Sequence, residues 1–405
     1  MAASTPKPIL ICGAGLASLL LGRSLLRTGI PFTLFERDQS ISFRGQGYRL
    51  RLSDEGLDAI EEVLGPEHFP KFWDATGKTG GEKGFASLNA VTGEEVTEEK
   101  PGGEGPTKPA APNLRSRDGR TIGISRGEMR SLFMEGLEDR IKWNHLVTGY
   151  ELTPHGVRAV FADGSKSEEG EMLVGGEGIY SRTAKQLSGG KLRTYDTGAR
   201  GIHGQAPASA FKALGEGVWR ATDDTNPKGR IFVITNVRPG NLDDDSLHFG
   251  WTMGGTPGVI APPNDDFTIV GKPAAEIAKS LTAHWHPRLK PLFERMNEDQ
   301  AAFWKITCST PSGVPEWKNE PRVTVIGDAA HSMTPAGGLG ANTAVRDSAL
   351  LGRLLAQAGG YQDGVTAAYE KEMRIYGSEA VARSYAMAQK QFGIHIDEDS
   401  TPTVG

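Results

Sequence analysis

Residues 8–36, PILICGAGLASLLLGRSLLRTGIPFTLFE, decide the fold of this chain. Pro8–Cys12 is a short apolar run closed by glycine, the pattern of a strand buried on both faces in a parallel sheet. From Leu16 to Arg27, the apolar residues Leu16, Leu19, Leu20 and Leu26 recur at helical spacing. A second apolar run, Pro31–Phe35, ends at Glu36. Strand, glycine turn, helix and strand in so short a stretch predict a right-handed βαβ unit. Its turn is GAGLAS, Gly13–Ser18. Gly13 permits the tight bend, Gly15 lets a pyrophosphate approach the backbone, and the positive end of the helix favours an anion there. Ser18, still small, stands where a dinucleotide fingerprint has its third glycine. Glu36 follows about 20 residues on, where a carboxylate accepts hydrogen bonds from ribose hydroxyls. The stretch predicts a dinucleotide cradle touched by Gly13, Gly15, Ser18, Glu36 and the adjacent Arg37. The competing reading is a glycine-tight βα turn with Glu36 on the surface.

Beyond this unit, Gly77–Pro112 is rich in Gly, Glu, Lys, Pro and Thr and reads as an excursion with a mobile loop, not a core layer. Helical character returns at Arg126–Leu137, and a meander follows with turns at His155-Gly156 and Asp163-Gly164. Residues 192–310 read as an antiparallel sheet with helices. Arg230–Asn236 and Ser246–Met253 are strand-like, and Pro273–Arg295 is helical in pattern apart from its prolines. Arg322–Ile326 is another buried-strand run, with helices expected at Asn342–Ala356 and near Val365–Phe392. Gly176–Ser181 also has the form GxGxxS, but no strand-plus-acid pair follows it, which argues against a second Rossmann domain.

The most specific stretch is Gly327–Asn342, GDAAHSMTPAGGLGAN. A strand ends at an acid, and a glycine-rich loop then opens a helix. This is a second anion-binding helix start with no second nucleotide fingerprint, as expected if one ligand reaches both ends of the chain.

Composition narrows the classes. With 45 Lys+Arg against 50 Asp+Glu the formal charge is −5, so no basic face points to nucleic acid. The 53 glycines indicate many tight turns. Cys12 and Cys308 allow one disulfide at most, which argues for a reducing, cytoplasmic setting. The longest apolar stretch, Ile9–Gly22, is shorter than the ~20 residues that span a bilayer, so no integral membrane segment is expected. No metal-ligand cluster is evident, and no metal is expected.

Taken together, these residues resemble the single-component FAD monooxygenases, the aromatic hydroxylases of the para-hydroxybenzoate hydroxylase fold. The resemblance covers most of the chain and is carried chiefly by GDAAHxMTPxxGxGxN. It implies an α/β fold: a Rossmann-like FAD-binding domain (1–75, 115–190 and 320–356), an inserted, mainly antiparallel substrate domain (76–114 and 191–319), and a C-terminal helical segment (357–405). It assigns Asp328 to the ribityl chain of non-covalent FAD, and Pro335, Gly338, Gly340, Ala341 and Asn342 to the isoalloxazine loop. Arg126 is assigned to the phosphate or ribityl region, and Arg44 and Gly47 to the family's RxxG loop. Glu177, with Gly178, Ser181 and Arg182, stands where the family has an Asp-Gly motif. That longer side chain puts the fine geometry in question.

On the substrate side, His203 occupies a place where relatives often carry Arg or Tyr facing the flavin, and Tyr195 is a second candidate. A His there can donate a proton or orient a phenol; a structural His on a sheet is the alternative. His248, Trp251 and Met253 lie on a candidate pocket strand, with alternation putting Trp251 and Met253 opposite His248. His331 is expected to brace its helix start. The resemblance implies that NADPH or NADH reduces FAD, and that reduced flavin adds dioxygen as a hydroperoxide whose terminal oxygen is transferred to substrate. The site must exclude water, and Gly77–Pro112 is a candidate lid. No strong charged cluster marks the pocket strands, which favours a bulky, weakly polar aromatic or polycyclic molecule. Two other classes stay open: an FAD-dependent oxidase or dehydrogenase, and a non-catalytic binding protein of the same nucleotide fold.

Overall fold

The computed structural model describes residues 6–40, 49–79, 85–96, 98–99, 106–107, 116–238, 240, 242–266 and 269–405. The chain opens as its periodicity predicts, with β1 (Ile9–Cys12), α1 (Leu16–Thr28) and β2 (Phe32–Phe35). α1 ends at Gly29, whose φ of +71° is open to glycine at little steric cost. An excursion follows: β3 (Arg49–Leu52), α2 (Asp54–Ala75) and β4 (Gly77–Thr79). Ser53 caps α2, its Oγ accepting from Gly56 N at 3.2 Å, and the helix breaks at Gly65-Pro66. Next come β5 (Phe85–Asn89), a short ladder of β6 (Glu98–Glu99) with β7 (Pro106–Thr107), β8 (Thr121–Ser125) and α3 (Arg126–Met134). The meander then supplies β9 (Ile141–Lys142), the hairpin β10 (Val147–Thr153) with β11 (Gly156–Phe161), β12 (Met172–Gly175) and α4 (Arg182–Leu187).

The middle of the chain contains β13 (Thr194–Pro207), β14 (Gly217–Asp223), β15 (Ile231–Val237), β16 (His248–Gly255), α5 (Lys272–Leu281), α6 (Pro291–Glu294) and β17 (Ala302–Ser309). The helical pattern over Pro273–Arg295 forms two pieces. α5 stops where Thr282 turns its hydroxyl back to Ala278 O at 2.9 Å, and the chain bends through His286-Pro287. β18 (Val323–Val325), α7 (Asp328–His331), α8 (Gly340–Ala358) and α9 (Val365–Phe392) complete the elements. Past Phe392 the expected helical segment gives way to extended chain, which pairs with β13 where Thr403 bridges Tyr195.

Five strands form a parallel sheet in the order β18-β12-β1-β2-β9, and β1, β12 and β18 are buried along their whole length. α1 and α8 pack on it, closely enough that Ser348 Oγ donates to Ala17 O at 2.7 Å. A three-stranded sheet, β3-β8-β4, joins this body to a six-stranded sheet in the order β17-β13-β16-β15-β14-β5. The latter is antiparallel except at β5, which runs parallel to β14. That pairing corrects the reading of Gly77–Pro112 as lying outside the core, because Leu88 and Ala90 are fully buried beneath the sheet. Residues 80–84, 97, 100–105 and 108–115, and with them much of the proposed lid, lie outside the described residues. Both cysteines are free and buried, Cys12 in the parallel sheet and Cys308 in β17. Among the described residues, no helix is long and apolar enough to cross a membrane.

Candidate functional site

A cavity of about 1560 Å³ lies between the carboxyl ends of the parallel strands and one face of the six-stranded sheet. Ligand pockets commonly hold about 300–1,000 Å³, so this one has room for a dinucleotide and a second molecule. It sits at the topological switch point, since β1 is flanked by β2 on one side and β12 on the other. Gly13 turns the chain at φ +86°, and a Cβ there would stand 2.6 Å from Gly176 O, so only glycine fits. Gly15 caps α1 with open space beyond it and leaves the first helical N–H groups facing the cavity.

Glu36 is nearly buried and braces this turn. Its Oε2 accepts from Ala14 N at 2.7 Å and its Oε1 from Asp38 N at 3.0 Å. A carboxylate has about four acceptor positions, so capacity is left for ribose hydroxyls. Arg130, not singled out in the sequence, donates from Nε to Ala14 O at 3.0 Å and lies 3.9 Å from Glu36. Arg37 is exposed at the cavity rim. Arg44 and Gly47 lie outside the described residues. Ser18 is corrected: it is fully buried behind the turn, and a Cβ on Gly176 would stand 2.3 Å from its Oγ, so it packs the sheet and does not face the cavity.

The Gly327–Asn342 loop forms the opposite wall. Asp328 and Arg126 both line the cavity, Arg126 at the start of α3, whose first turn is capped by Ser125. Asp328 is exposed to the open cavity; the surrounding protein, and to a smaller extent the Asp347 charge, push its carboxyl pKa up, and the charges of His331 and Arg126 act against that rise. Pro335, Gly338, Gly340 and Ala341 line the cavity, with Gly337 at φ +78° and Gly338 at +61° making the bend. Asn342 is corrected. Its side chain is a clamp, with Oδ1 accepting from Ser53 N at 2.8 Å and Nδ2 donating to Arg51 O at 2.9 Å and Gly338 O at 2.7 Å. His331 braces the helix start as expected, with Nε2 placed 2.8 Å from buried Asp347. Glu177 turns inward, accepting from Ser181 Oγ at 2.7 Å and Thr183 Oγ1 at 2.6 Å, and so shapes its own turn.

On the sheet side, His203 lines the cavity. Its ring stacks on Trp304 at 4.9 Å and an 11° tilt, and Nδ1 lies 3.1 Å from Thr252 Oγ1. Burial brings its pKa down to about 3, so the ring is neutral at ordinary pH. A neutral ring in this place stacks and hydrogen-bonds, which suits the expected orienting of a phenol. Tyr195 is corrected as well. It is 1% exposed, packs with Cys308, Val381 and Ile396, and donates its hydroxyl to Glu398 O at 3.1 Å, away from the cavity. Tyr195→Phe is expected to cost about 1 kcal/mol of stability and to leave ligand affinity unchanged, as chemical denaturation and binding titration would show. Trp251 and Met253 point into the core, and Trp251 Nε1 donates to Leu292 O at 3.1 Å. His248 is exposed, and the residues β16 offers to the cavity are Gly250, Thr252 and Gly254.

The cavity also holds Arg49, Arg51 and Arg220, which corrects the expectation of a weakly polar pocket without a charged cluster. The signal was present in β3, where the alternation RLRL puts both arginines on one face. Phe232, Ile234, Phe303, Trp304, Met387 and Phe392 supply the apolar wall.

The residues fit a dinucleotide: a side-chain-free turn, an unobstructed helix start, a braced carboxylate and a second loop bearing Asp328. A family model described as an FAD binding domain matches residues 128–384. A dual O-methyltransferase/FAD-dependent monooxygenase of Phaeosphaeria nodorum is 28% identical over 97% of this chain and 47% of that protein, so the chain spans about half its length. An FAD-dependent monooxygenase of Emericella nidulans is 25% identical over 85% of this chain and 86% of its own. Klebsiella pneumoniae HpxO, solved with FAD and uric acid, shares the fold at a TM-score of 0.74 and 18% identity, over 96% of this chain and 89% of that one. The chain belongs to the family described as an FAD binding domain, is similar to FAD-dependent monooxygenases, and has the para-hydroxybenzoate hydroxylase fold.

Proposed function

We propose that this chain is a monooxygenase that uses non-covalent FAD, NADPH or NADH, and dioxygen to hydroxylate or epoxidise an aromatic or polycyclic molecule. The observation that carries the reading is the single cavity that joins the Gly13–Gly15 turn and Asp328 to the aromatic face of the six-stranded sheet. In this reading 1–75, 115–190 and 320–356 hold the dinucleotide, and 76–114 with 191–319 face the substrate. When bound, FAD supplies two-electron chemistry with the nicotinamide and the activation of dioxygen.

The chain's own residues position and insulate. The start of α1 would take the pyrophosphate and Glu36 the ribose. Asp328 would accept from the ribityl hydroxyls, and the cavity-lining backbone between Pro335 and Ala341 would hold the ring. Trp304 offers a flat apolar platform to an aromatic substrate, and neutral His203 beside it accepts or donates one hydrogen bond to a substrate hydroxyl. The apolar wall excludes water, which limits unproductive loss of reduced oxygen.

The visible spectrum of the purified protein tests this first. Bands near ~370 and ~450 nm that survive heat release in the supernatant are expected for a flavin bound without a covalent link. NADPH oxidation stimulated by an aromatic substrate, with oxygen found in the product, would separate a monooxygenase from an oxidase or dehydrogenase. A colourless protein that takes up no added FAD would favour a non-catalytic binding protein. Asp328→Ala is expected to weaken FAD binding about tenfold or more in an apo-protein titration, and unchanged affinity would displace the assigned site.

A further inference from the structure

Arg51, near the end of β3, reaches the glycine-rich loop with its side chain. Its Nη2 donates to Gly337 O at 3.0 Å, and a Cβ on Gly338 would stand 3.7 Å from its Nε. The Asn342 side chain donates to Arg51 O and to Gly338 O, which ties the same strand end to the same loop. Arginine and loop are thus fixed to each other, and both line the cavity. The Arg51 Nε is buried and has no hydrogen-bond partner among the described residues. Burial, and after it the charge of Arg383, lower the Arg51 pKa, while Glu55 and Asp54, exposed on the first turn of α2, act the other way. Glu55 also stands in the field of Arg346 and Arg383, so it does not serve Arg51 alone. A guanidinium keeps its charge in such surroundings.

Beside it, α8 begins at Gly340 with no side-chain cap and no acid in its first turn, so the positive end of a 19-residue helix also meets the cavity. Two positive groups therefore flank the backbone from Gly337 to Ala341. The isoalloxazine that this loop would hold is polar on one half only. Its pyrimidine half carries carbonyl oxygens and ring nitrogens, and its dimethylbenzene half offers no acceptor. The polar half is also where reduction leaves charge. A hydride from the nicotinamide bonds to flavin N5, the nicotinamide is oxidised by two electrons, and the ring keeps one negative charge over N1 and the C2 carbonyl. Hydrogen bonds to a charged acceptor are about twice as strong as neutral ones, so a fixed cation favours the reduced ring over the oxidised one.

Resting on the FAD reading of the cavity, we propose that Arg51 is a further cofactor-binding residue, whose guanidinium meets the pyrimidine edge of the isoalloxazine and stabilises the charge gained there on reduction. The contact sets which end of the ring enters the loop, with the dimethylbenzene end directed away from it. Oxidised FAD gains little from Arg51, and reduced FAD gains more.

The test uses the full chain loaded with FAD and needs no turnover. The two-electron midpoint potential is read by dithionite titration against a reference dye, and sulfite serves as a second probe. Sulfite forms a bond from its lone pair to flavin N5 and leaves the same single negative charge on the ring, with no other reactant. Arg51→Gln is expected to weaken sulfite binding about tenfold or more. The potential should fall by about 30 mV or more, which is that tenfold for a two-electron couple. Arg51→Lys keeps the charge without the fork and should fall between. Arg383→Gln removes a cation that does not line the cavity and should move sulfite binding less than about threefold.

A role confined to bracing Gly337 would weaken oxidised and reduced FAD alike and leave the potential where it is. An unchanged potential in FAD-loaded Arg51→Gln therefore overturns the proposal. Equal shifts in Arg51→Gln and Arg383→Gln overturn it too, because the effect would then be a general field and not a contact. If Arg51→Gln does not retain FAD, the unaltered protein and Arg51→Lys decide. A bound-FAD potential at or below that of free FAD overturns the proposal, and one above it that drops in Arg51→Lys supports it. A chain that takes up no FAD would remove the FAD reading and this assignment together, whereas bound FAD with an unmoved potential would remove the assignment alone.

Discussion

Asp347→Ala is expected to lower the unfolding free energy by about 3–5 kcal/mol, the range for removing one partner from a buried charged network. Asp347 is fully buried in α8. Its Oδ2 accepts from Gly327 N at 2.6 Å and lies 2.8 Å from His331 Nε2, and its Oδ1 accepts from Tyr376 OH at 2.6 Å. One carboxylate thus ties the last parallel strand, the Asp328 turn and α9 together. Alanine leaves the buried Gly327 N–H and His331 ring and the half-buried Tyr376 hydroxyl without their acceptor, and each such loss is costly. Denaturant titration of the variant against the unaltered chain measures the cost. A loss below about 1 kcal/mol would mean that the network re-forms around water and that the carboxylate is not its keystone.

The same pair predicts a pH dependence. Burial alone would lower the His331 pKa, but the Asp347 charge and hydrogen bond outweigh it, and the net shift is upward from 6.5. A raised pKa means that the folded state holds the proton more tightly than the unfolded chain does. The contribution is therefore fully present below the unfolded value and is lost as pH rises through the folded one. Stability from this pair is expected to decline on the alkaline side of 6.5. Asp347→Asn should remove that decline, because burial then prevails and the ring stays neutral. Denaturant midpoints across neutral pH for both chains would show it; parallel pH profiles would refute it.

Gly13→Ala is expected to cut FAD affinity by about 100-fold or more. The residue sits at φ +86°, and a methyl group there meets Gly176 O at 2.6 Å and Gly176 C at 2.9 Å. Those are backbone atoms of the neighbouring strand's turn, and Gly176 N is itself tied to Cys12 O at 2.8 Å. Nothing flexible can give way, so the turn must open. Strain of about 1–3 kcal/mol from the backbone alone, with overpacking added, amounts to two or more decades of binding. Gly15→Ala is the matched control. Its φ is −76°, and the nearest atom to an added Cβ is Gly176 O at 4.0 Å, so the empty turn accommodates it. A fall in FAD affinity at Gly15 without a fall in stability would report contact with the ligand itself. If Gly13→Ala retained full flavin after gel filtration, the turn would be ruled out as the cofactor's seat.

The positions of this turn were legible because their cause is local. A glycine at positive φ, an apolar run of four residues and a helix of period 3.6 leave marks within a dozen residues, and the βαβ unit and α9 follow those marks closely. A short motif does not fix which way its side chains point. Ser18, Tyr195 and Asn342 occupy motif-like positions, yet the structure turns each side chain into packing or a clamp. β5 was hidden because nothing near it in the sequence announces β14, its partner across the chain.

The sequence by itself determined the dinucleotide turn, the acid-tipped second loop and the division into parallel and antiparallel sheets, since backbone sterics and hydrophobic period act over a few residues. Only the tertiary structure decided which side chains share the cavity. Arg49 of β3, Arg220 of β14 and Asp328 after β18, remote in the chain, line one cavity because β3-β8-β4 stands between the parallel and antiparallel sheets. A meeting of that kind depends on strand register and on how the sheets pack, neither of which is written in the residues around any of the three.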